Sequence, residues 1–316
     1  MNSPTVLVLC GGLSPERDVS IRSGRRVAEA LRSQGLAVSV ADVDADLLHR
    51  LEQARPDCVL PLLHGSAGED GSLVDVLNTL GLPYVGSTAD AARISFDKSV
   101  AKAAVRRWDI ATPPAVALPH AMFRDLGAGP LMERVVTRLG LPLMVKPTRG
   151  GSSLGAAVVH EAHELPSAMV GAYAYGEVAM IEQFVTGTEI AVTILEADGQ
   201  PAAMPAVEIV PDGGFYDYNA RYTAGLTEFF CPARITDEQA TVAAELAMSV
   251  HDRMGLRDYS RVDLIIPADG DPSFIEVNVA PGITETSLLP QSLEAAGRDL
   301  GSVFAGLVAA AIKRGG

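Results

Sequence analysis

Three side chains near the carboxyl end of the chain have the types and spacing to hold a hard divalent cation. In "FIEVNVAPGITETSLLP", residues 274 to 290, Glu276 and Asn278 stand two positions apart in an apolar run. Side chains two apart on a strand share a face, so these two project together while Ile275, Val277 and Val279 face the other way. Upstream, "RVDLII" carries Asp263, and the connection from Pro267 to Ser273 is rich in turn formers, which favours an antiparallel hairpin. Residues opposite one another in such a pair share a face, so Asp263 meets Glu276 or Asn278, according to the register the loop selects. Two carboxylates and an amide oxygen suit Mg²⁺, whose shell is completed by water and substrate phosphates. The plainer alternative is that Asp263 pairs with Arg261 on the same face and Glu276 is solvated.

A second candidate is "KPTRGGSSLG", where Lys146 ends a strand and Gly150, Gly151, Ser152 and Ser153 form the turn. Glycines let backbone N–H groups approach phosphate oxygens, and the lysine supplies a point charge. No G-K-[ST] follows and the chain has no GxGxxG, so neither common nucleotide fingerprint applies; a simple hairpin turn is the alternative. At the other end, Glu16 in "GGLSPERDVS" and His64 in "LLHGSAGEDG" each follow an apolar strand, at the carboxyl ends where open α/β sheets bind ligands. An acidic residue near a helix start also has a dipole reason to be there, and His64 forms no spacing pattern with the other histidines.

The elements that must position these groups alternate strand and helix over the first part of the chain. "TVLVLC" (5 to 10) is a strand closed by Gly11-Gly12, after which Ser20 can cap a helix with Ile21, Gly24, Val27, Ala28 and Leu31 at helical spacing. "CVLPLLHG", the helical stripe of "SLVDVLNTLG" and the short strand "LPYVG" repeat the pattern, which predicts a parallel α/β domain. Further on, a helix with Lys98 and Lys102 leads to Pro113-Pro114. "LPLMVKPTRGGSSLGAAVVH" reads as strand, turn, strand. More strands follow ("VAMIEQFVTG", "EIAVTIL", "AAMPAVEIV"), then an aromatic irregular segment, a helix around 237 to 254 and the final hairpin.

With 316 residues, 48% hydrophobic and 20% charged, the chain reads as globular and long enough for two or three domains. A net charge of −14, from 25 basic and 39 acidic residues, argues against a nucleic-acid or anionic-membrane surface. Any anionic substrate must be held by a few local cations. Cys10, Cys58 and Cys231 form no CxxC pair and predict free thiols in a reducing cytoplasm, without a zinc site. No signal segment is expected, and "VFAGLVAAAI" predicts a packed C-terminal helix rather than a membrane span.

Nine segments, in order, resemble the D-alanine–D-alanine ligases of the ATP-grasp superfamily: "GGLSPERDVSIRSG", "LHGSAGEDG", "LGLPYVGS", "DK" at 97 to 98, "VKPTRGGSSLG", "YDYNARY", "FCPA", "SRVDL" and "EVNVAPGITETSLLP". The resemblance spans essentially the whole chain. It implies an α/β, three-domain ATP-grasp architecture: an N-terminal parallel α/β domain over 1–94, a central subdomain over 95–187 and a C-terminal catalytic subdomain over 188–316, with a lid at 212–230. The implied reaction is ATP-dependent joining of two D-alanines through an acyl phosphate, for peptidoglycan precursors, by a cytoplasmic homodimer. Two Mg²⁺ ions, or Mn²⁺ in their place, are implied as cofactors.

The same resemblance distributes roles. Lys98 and Lys146 fall at the ATP phosphates, Glu182, Gln183, Phe184 and Val185 on the adenine and ribose strand, and Ser153, Glu189 and Asn278 also in the ATP site. Asp263, Glu276 and Asn278 are the implied metal ligands. Glu16 resembles the carboxylate that receives the first D-alanine's ammonium, with His64 and Arg221 among the substrate contacts. Arg261 and the amide of Gly282 resemble an oxyanion-stabilising pair, and Ser287 with Leu288 the holder of the second carboxylate. Tyr222, Ser152 and Glu16 resemble a triad that closes the lid. Two departures concern substrate geometry: Arg221 stands where the family commonly has lysine, and Val279-Ala280 replace more polar or bulky residues. An ATP-grasp ligase of another amino-acid pair, or a non-catalytic nucleotide-binding relative, is the competing expectation.

Overall fold

The apolar run after the amino terminus forms β1 (Thr5–Leu9), buried from Val6 onward because both of its faces are covered. The computed structural model describes residues 3–316 except 198, 224 and 269, and leaves the side chains of Ala67 and Tyr222 undescribed. β1 lies between β2 (Ala37–Ala41) and β3 (Cys58–Pro61), parallel to both. The predicted strand in "LPYVG" is reduced to a single parallel bridge, Val59 to Tyr84. Its ladder stops because the Gly86 N–H turns to Asp258 Oδ2 at 2.7 Å, in another part of the chain.

The first long helix, Arg17–Ser33, turns Ser20, Ser23, Gly24, Val27, Ala28 and Leu31 inward. Ser20 is not its cap. The helix starts one turn earlier, with Glu16 at the N-cap position, and Ser20 Oγ donates to Leu62 O at 2.7 Å while accepting from Gly11 N at 2.8 Å. The hydroxyl therefore ties together the loops that leave β1 and β3, on which Glu16 and His64 stand.

A second sheet is wholly antiparallel, in the order β4 (Ala115–Pro119), β7 (Val178–Gln183), β5 (Leu143–Pro147), β6 (Ala157–Val159). β5 and β6 pair across the Gly/Ser loop, as the sequence predicts. A third sheet runs β11 (Thr227–Phe230), β10 (Val207–Pro211), β8 (Thr188–Leu195), β12 (Tyr259–Ile266), β13 (Ser273–Asn278), with the short β9 (Ala202–Ala203) also on β8. The helix Asp237–Arg253 opens with a Thr236/Gln239 capping box and packs Ala243, Ala247 and Val250 on the apolar face of this sheet.

The C-terminal helix Leu300–Arg314 buries Val303, Phe304, Leu307, Val308 and Ala311 in a core shared with β1 and the first helix. Arg314 adds a bidentate pair to Asp258 at 3.0 and 2.9 Å. Among the described residues no single helix is long and apolar enough to cross a membrane.

Candidate active site

The β12–β13 hairpin sets Asp263 opposite Glu276 and Arg261 opposite Asn278. The register then slips at Asp263/Leu264, so that Leu264 meets Phe274 and Ile275 has no partner of its own. This bulge corrects the strict alternation expected from the sequence: Phe274, Val277 and Val279 enter the core, whereas Ile275 lines the cleft beside Glu276.

Arg261 grips Asp263 in a bidentate pair, Nε to Oδ1 at 2.6 Å and Nη2 to Oδ2 at 2.7 Å, and the Asn278 amide donates to Oδ2 at 3.2 Å. Of the plainer sequence alternative, the Arg261–Asp263 half holds. Glu276, however, is not left to solvent but pairs with Lys98 Nζ at 3.1 Å. Burial pushes the Asp263 carboxyl up, against the pull of Arg261. Glu276 is also penalised by burial, yet Lys98, Lys146, Arg221 and Arg261 together hold it far below the usual carboxylate range. Among the described residues no group of three His, Cys, Asp or Glu side chains forms a self-sufficient metal cage. Two carboxylates plus an amide, already balanced by cations, fit Mg²⁺ that shares its shell with phosphate oxygens.

On one side of this hairpin lies a cleft of ≈ 1150 Å³, counted out to its open mouth. Lys98, Lys146, Ser153, Glu182, Gln183, Phe184, Val185, Glu189, Asp263 and Glu276 all line it. Lys98 opens the helix Lys98–Arg106, which Asp97 caps, and its ammonium also donates to Gly150 O at 2.6 Å. Lys146 pairs with Glu182 Oε1 at 2.6 Å, and Lys102 takes Oε2. Gln183 spends its side-chain amide on Leu139 O at 3.0 Å. Burial raises Glu189 to about 7, with Arg221 acting in the opposite sense. Asn278 does not line this cleft; it faces the pocket on the other side.

That second pocket, of ≈ 650 Å³, is lined by Glu16, His64, Ser152, Arg221, Arg261, Asn278, Gly282, Ser287 and Leu288. Ser152 Oγ donates to Glu16 Oε1. The loop can come this close because residue 151 is glycine, where a Cβ would sit 2.8 Å from that same oxygen. Ser152 and Ser153 both adopt left-handed backbone, φ 54° and 56°, a strained conformation that concentrates where a loop has a task. His64 donates from Nδ1 to Ala280 O at 3.0 Å, which fixes its tautomer, and Nε2 is buried without a partner among the described residues. Burial lowers its pKa although Glu16 pulls upward, so the ring is a neutral acceptor.

Ser287 Oγ accepts from Thr284 N at 2.9 Å and sits 2.8 Å from the Thr284 hydroxyl. It occupies the N-cap of the helix Leu288–Ala295 without capping it through its side chain, leaving the first amides open to an anion. A Cβ at Gly282 would lie 2.9 Å from Ser287 Oγ. Arg221 Nε donates to Ser153 Oγ at 3.2 Å, its guanidinium lies 4.2 Å above the Tyr216 ring, and Ser153 Oγ donates to Tyr216 O at 2.9 Å. The Tyr222 backbone ends the short helix Tyr218–Tyr222; its side chain, and with it the expected triad contact, lies outside the described residues.

Three residues at the site were not singled out from sequence. Glu69, in "HGSAGEDG", is buried in the wall of the second pocket, accepts from Gly65 N at 2.7 Å, and is raised to about 8 by burial and then by Glu16. Lys102 follows Lys98 by one helical turn on a face that otherwise buries Ala101 and Val105, and that spacing was the available signal. Tyr216 lines both pockets and announces itself only as one aromatic in a cluster of them.

The family model described as "D-ala D-ala ligase C-terminus" matches residues 105–309. A D-alanine--D-alanine ligase of Pelotomaculum thermopropionicum is 38% identical over 311 residues, covering 98% of this chain and 97% of the relative. Among solved structures, a D-alanine--D-alanine ligase of Bacillus anthracis complexed with ATP superposes with a TM-score of 0.82 at 27% identity, covering 99% and 98% of the two chains. The VanG D-Ala:D-Ser ligase of Enterococcus faecalis gives 0.81 at 25% identity, covering 98% and 100%. With its parallel first sheet, its two antiparallel sheets and relatives that match over nearly their whole length, the chain belongs to the D-alanine–D-alanine ligase family of ATP-grasp enzymes.

Proposed function

We propose that the protein joins two D-alanines into D-alanyl-D-alanine, converting ATP to ADP and phosphate, in the supply of peptidoglycan precursors. One observation carries the reading. The hairpin face stands between the two pockets, with Asp263 and Glu276 toward the larger cleft and Arg261 and Asn278 toward the smaller. A phosphoryl group bound on one side is therefore next to an amino acid bound on the other.

In this reading Lys98 and Lys146 neutralise ATP phosphates, while Glu16 and the lone pair of His64 Nε2 accept the ammonium of the first D-alanine. Its carboxylate oxygen attacks the γ-phosphorus, ADP leaves, and an acyl phosphate forms. The Ser287 hydroxyl and the Leu288 amide hold the second D-alanine by its carboxylate, so that its free amine reaches the acyl carbon. Arg261 retains N–H donors beyond the two given to Asp263. With the Gly282 amide these stabilise the oxyanion before phosphate departs, an effect worth about 3–4 kcal/mol per donor in comparable sites. Asp263, Glu276 and Asn278 would hold Mg²⁺, or Mn²⁺ in its place, which when bound spreads the charge of the transferring phosphoryl group. The segment 212–230, tied to the Gly/Ser loop through Arg221 and Ser153, serves as the lid that keeps water from the acyl phosphate.

Domain limits at 94 and 187, a cytoplasmic location and a homodimer are proposed on the strength of the family resemblance. The test of the activity is phosphate release from ATP with a panel of D- and L-amino acids. D-Alanine alone should support turnover and yield the dipeptide. A panel in which D-alanine is inert and another amino acid active would overturn the substrate assignment while leaving the ligase chemistry.

A further inference from the structure

Lys102 is fully buried and lines neither pocket. Its ammonium binds Oε2 of Glu182, whose Oε1 takes Lys146 at 2.6 Å, and of the three only Lys146 and Glu182 reach the cleft. Lys102 stands behind them. Burial lowers its pKa to about 8 despite the attraction of Glu182. Glu182 is opposed by burial too, and Lys146 and Lys102 nonetheless hold it below the usual carboxylate range.

A buried ion trio is a poor way to gain stability, because desolvation offsets most of the attraction. Its effect on the cleft is more informative. With Lys146 as sole partner, Glu182 would cancel the charge of that lysine at the wall where phosphates are expected. With Lys102 present, two cations face one carboxylate, and the charge of Lys146 remains available to an anion. A second partner also stops the carboxylate from turning and keeps it ionised, hence an acceptor and never a donor. Beside it, Met144 lies directly opposite Glu182 in the β5–β7 ladder, and Met144, Phe184 and Ile275 give the same cleft an apolar lining, here called the slot.

We propose that Lys102 is a positioning residue for the nucleotide: it holds Glu182 as a fixed acceptor, so that the slot favours a base edge bearing an amino group, and it leaves the charge of Lys146 free for phosphate. This rests on the reading of the cleft as a nucleotide site. Adenine presents an amino group at that edge and hypoxanthine a carbonyl oxygen, which a fixed carboxylate rejects.

The test is calorimetric binding of Mg²⁺–ATP and Mg²⁺–ITP to the full chain without amino acid, for the parent, Lys102→Met and Lys102→Arg. The parent should prefer ATP. Lys102→Met should weaken ATP by about tenfold or more and shrink the ATP-over-ITP ratio toward one, because a buried charge has lost its partner. Lys102→Arg should restore much of both, and KM for D-alanine should stay within about twofold of the parent's while KM for ATP rises. Should the methionine variant not accumulate folded, Lys102→Gln, which keeps a donor but no charge, is read in the same way. An unchanged ATP affinity and an unchanged ATP/ITP ratio in a folded variant would overturn the proposal. A parent that binds neither nucleotide would overturn the nucleotide reading itself.

Discussion

The two pockets that meet at the β12–β13 hairpin settle their charges in opposite ways. In the larger cleft every one of three lining carboxylates is matched by cations: Glu276 by Lys98, Asp263 by Arg261 from the side of the smaller pocket, and Glu182 by Lys146 and, from behind the wall, Lys102, the last group carrying one positive charge in excess. The smaller pocket, although Arg221 and Arg261 also line it, adds acceptors of its own. Glu16 receives one hydroxyl, Glu69 one backbone amide, and His64 offers an uncommitted ring nitrogen among the described residues. A wall with spare positive charge suits a polyphosphate, and a wall with spare acceptors suits an ammonium group. A chain with a net charge of −14 thus recruits an anion through local arrangement rather than overall field.

The contrast breaks most severely at Glu276. Changing it to Gln removes a charge from the hairpin face without altering its size, so the fold should survive. Turnover should fall roughly a hundredfold to a thousandfold, through lost stabilisation of transition-state charge. The rise in melting temperature induced by Mg²⁺–ATP should shrink as well. Turnover within about threefold of the parent, a difference of only ~0.7 kcal/mol, would return the residue to a structural role.

Glu16→Gln should act on the other half alone. Loss of a charged acceptor facing an ammonium raises KM for the first D-alanine by about ten- to a hundredfold, with ATP affinity nearly unchanged. Equal losses for both ligands would show that the pockets are not independent.

The smallest effect concerns pH. The folded-state pKa of Glu69, about 8, lies above its unfolded value, so the folded chain keeps a proton that the unfolded chain has released. The stability this contributes is complete below the unfolded carboxylate value, falls as pH rises, and is gone once pH has passed through about 8. Melting curves of the ligand-free protein between pH 5 and 9 should therefore fall less steeply for Glu69→Gln than for the parent. Parallel curves would mean that Glu69 is not held protonated.

Much of this arrangement can be read from residues alone, and the exceptions have physical causes. Period-two spacing and a turn-rich connection were enough to bring Asp263 and Glu276 to one face. The bulge that turns Ile275 into the cleft leaves no mark in a pattern of alternation, because it depends on how the loop closes. Ser20 had the chemistry of a cap, but its hydroxyl is taken by two distant loops and the helix starts before it. Glu69 is a charged residue in a short polar stretch and Lys102 a charge within an alanine- and valine-rich helix, and for either a solvated position is the ordinary expectation; only tertiary packing buries them. The left-handed pair Ser152-Ser153 sits in a segment whose glycines had already pointed to a special loop, though not to serine as the strained residue.

The most direct test of the central claim follows one oxygen atom. If the two pockets pass a phosphoryl group across the hairpin to a carboxylate, D-alanine labelled with ¹⁸O in its carboxyl group must give up one labelled oxygen to the phosphate released. Mass spectrometry of the phosphate formed with ATP and Mg²⁺ should show one ¹⁸O for each dipeptide made. Unlabelled phosphate, with all the ¹⁸O left in amino acid and dipeptide, would contradict the account.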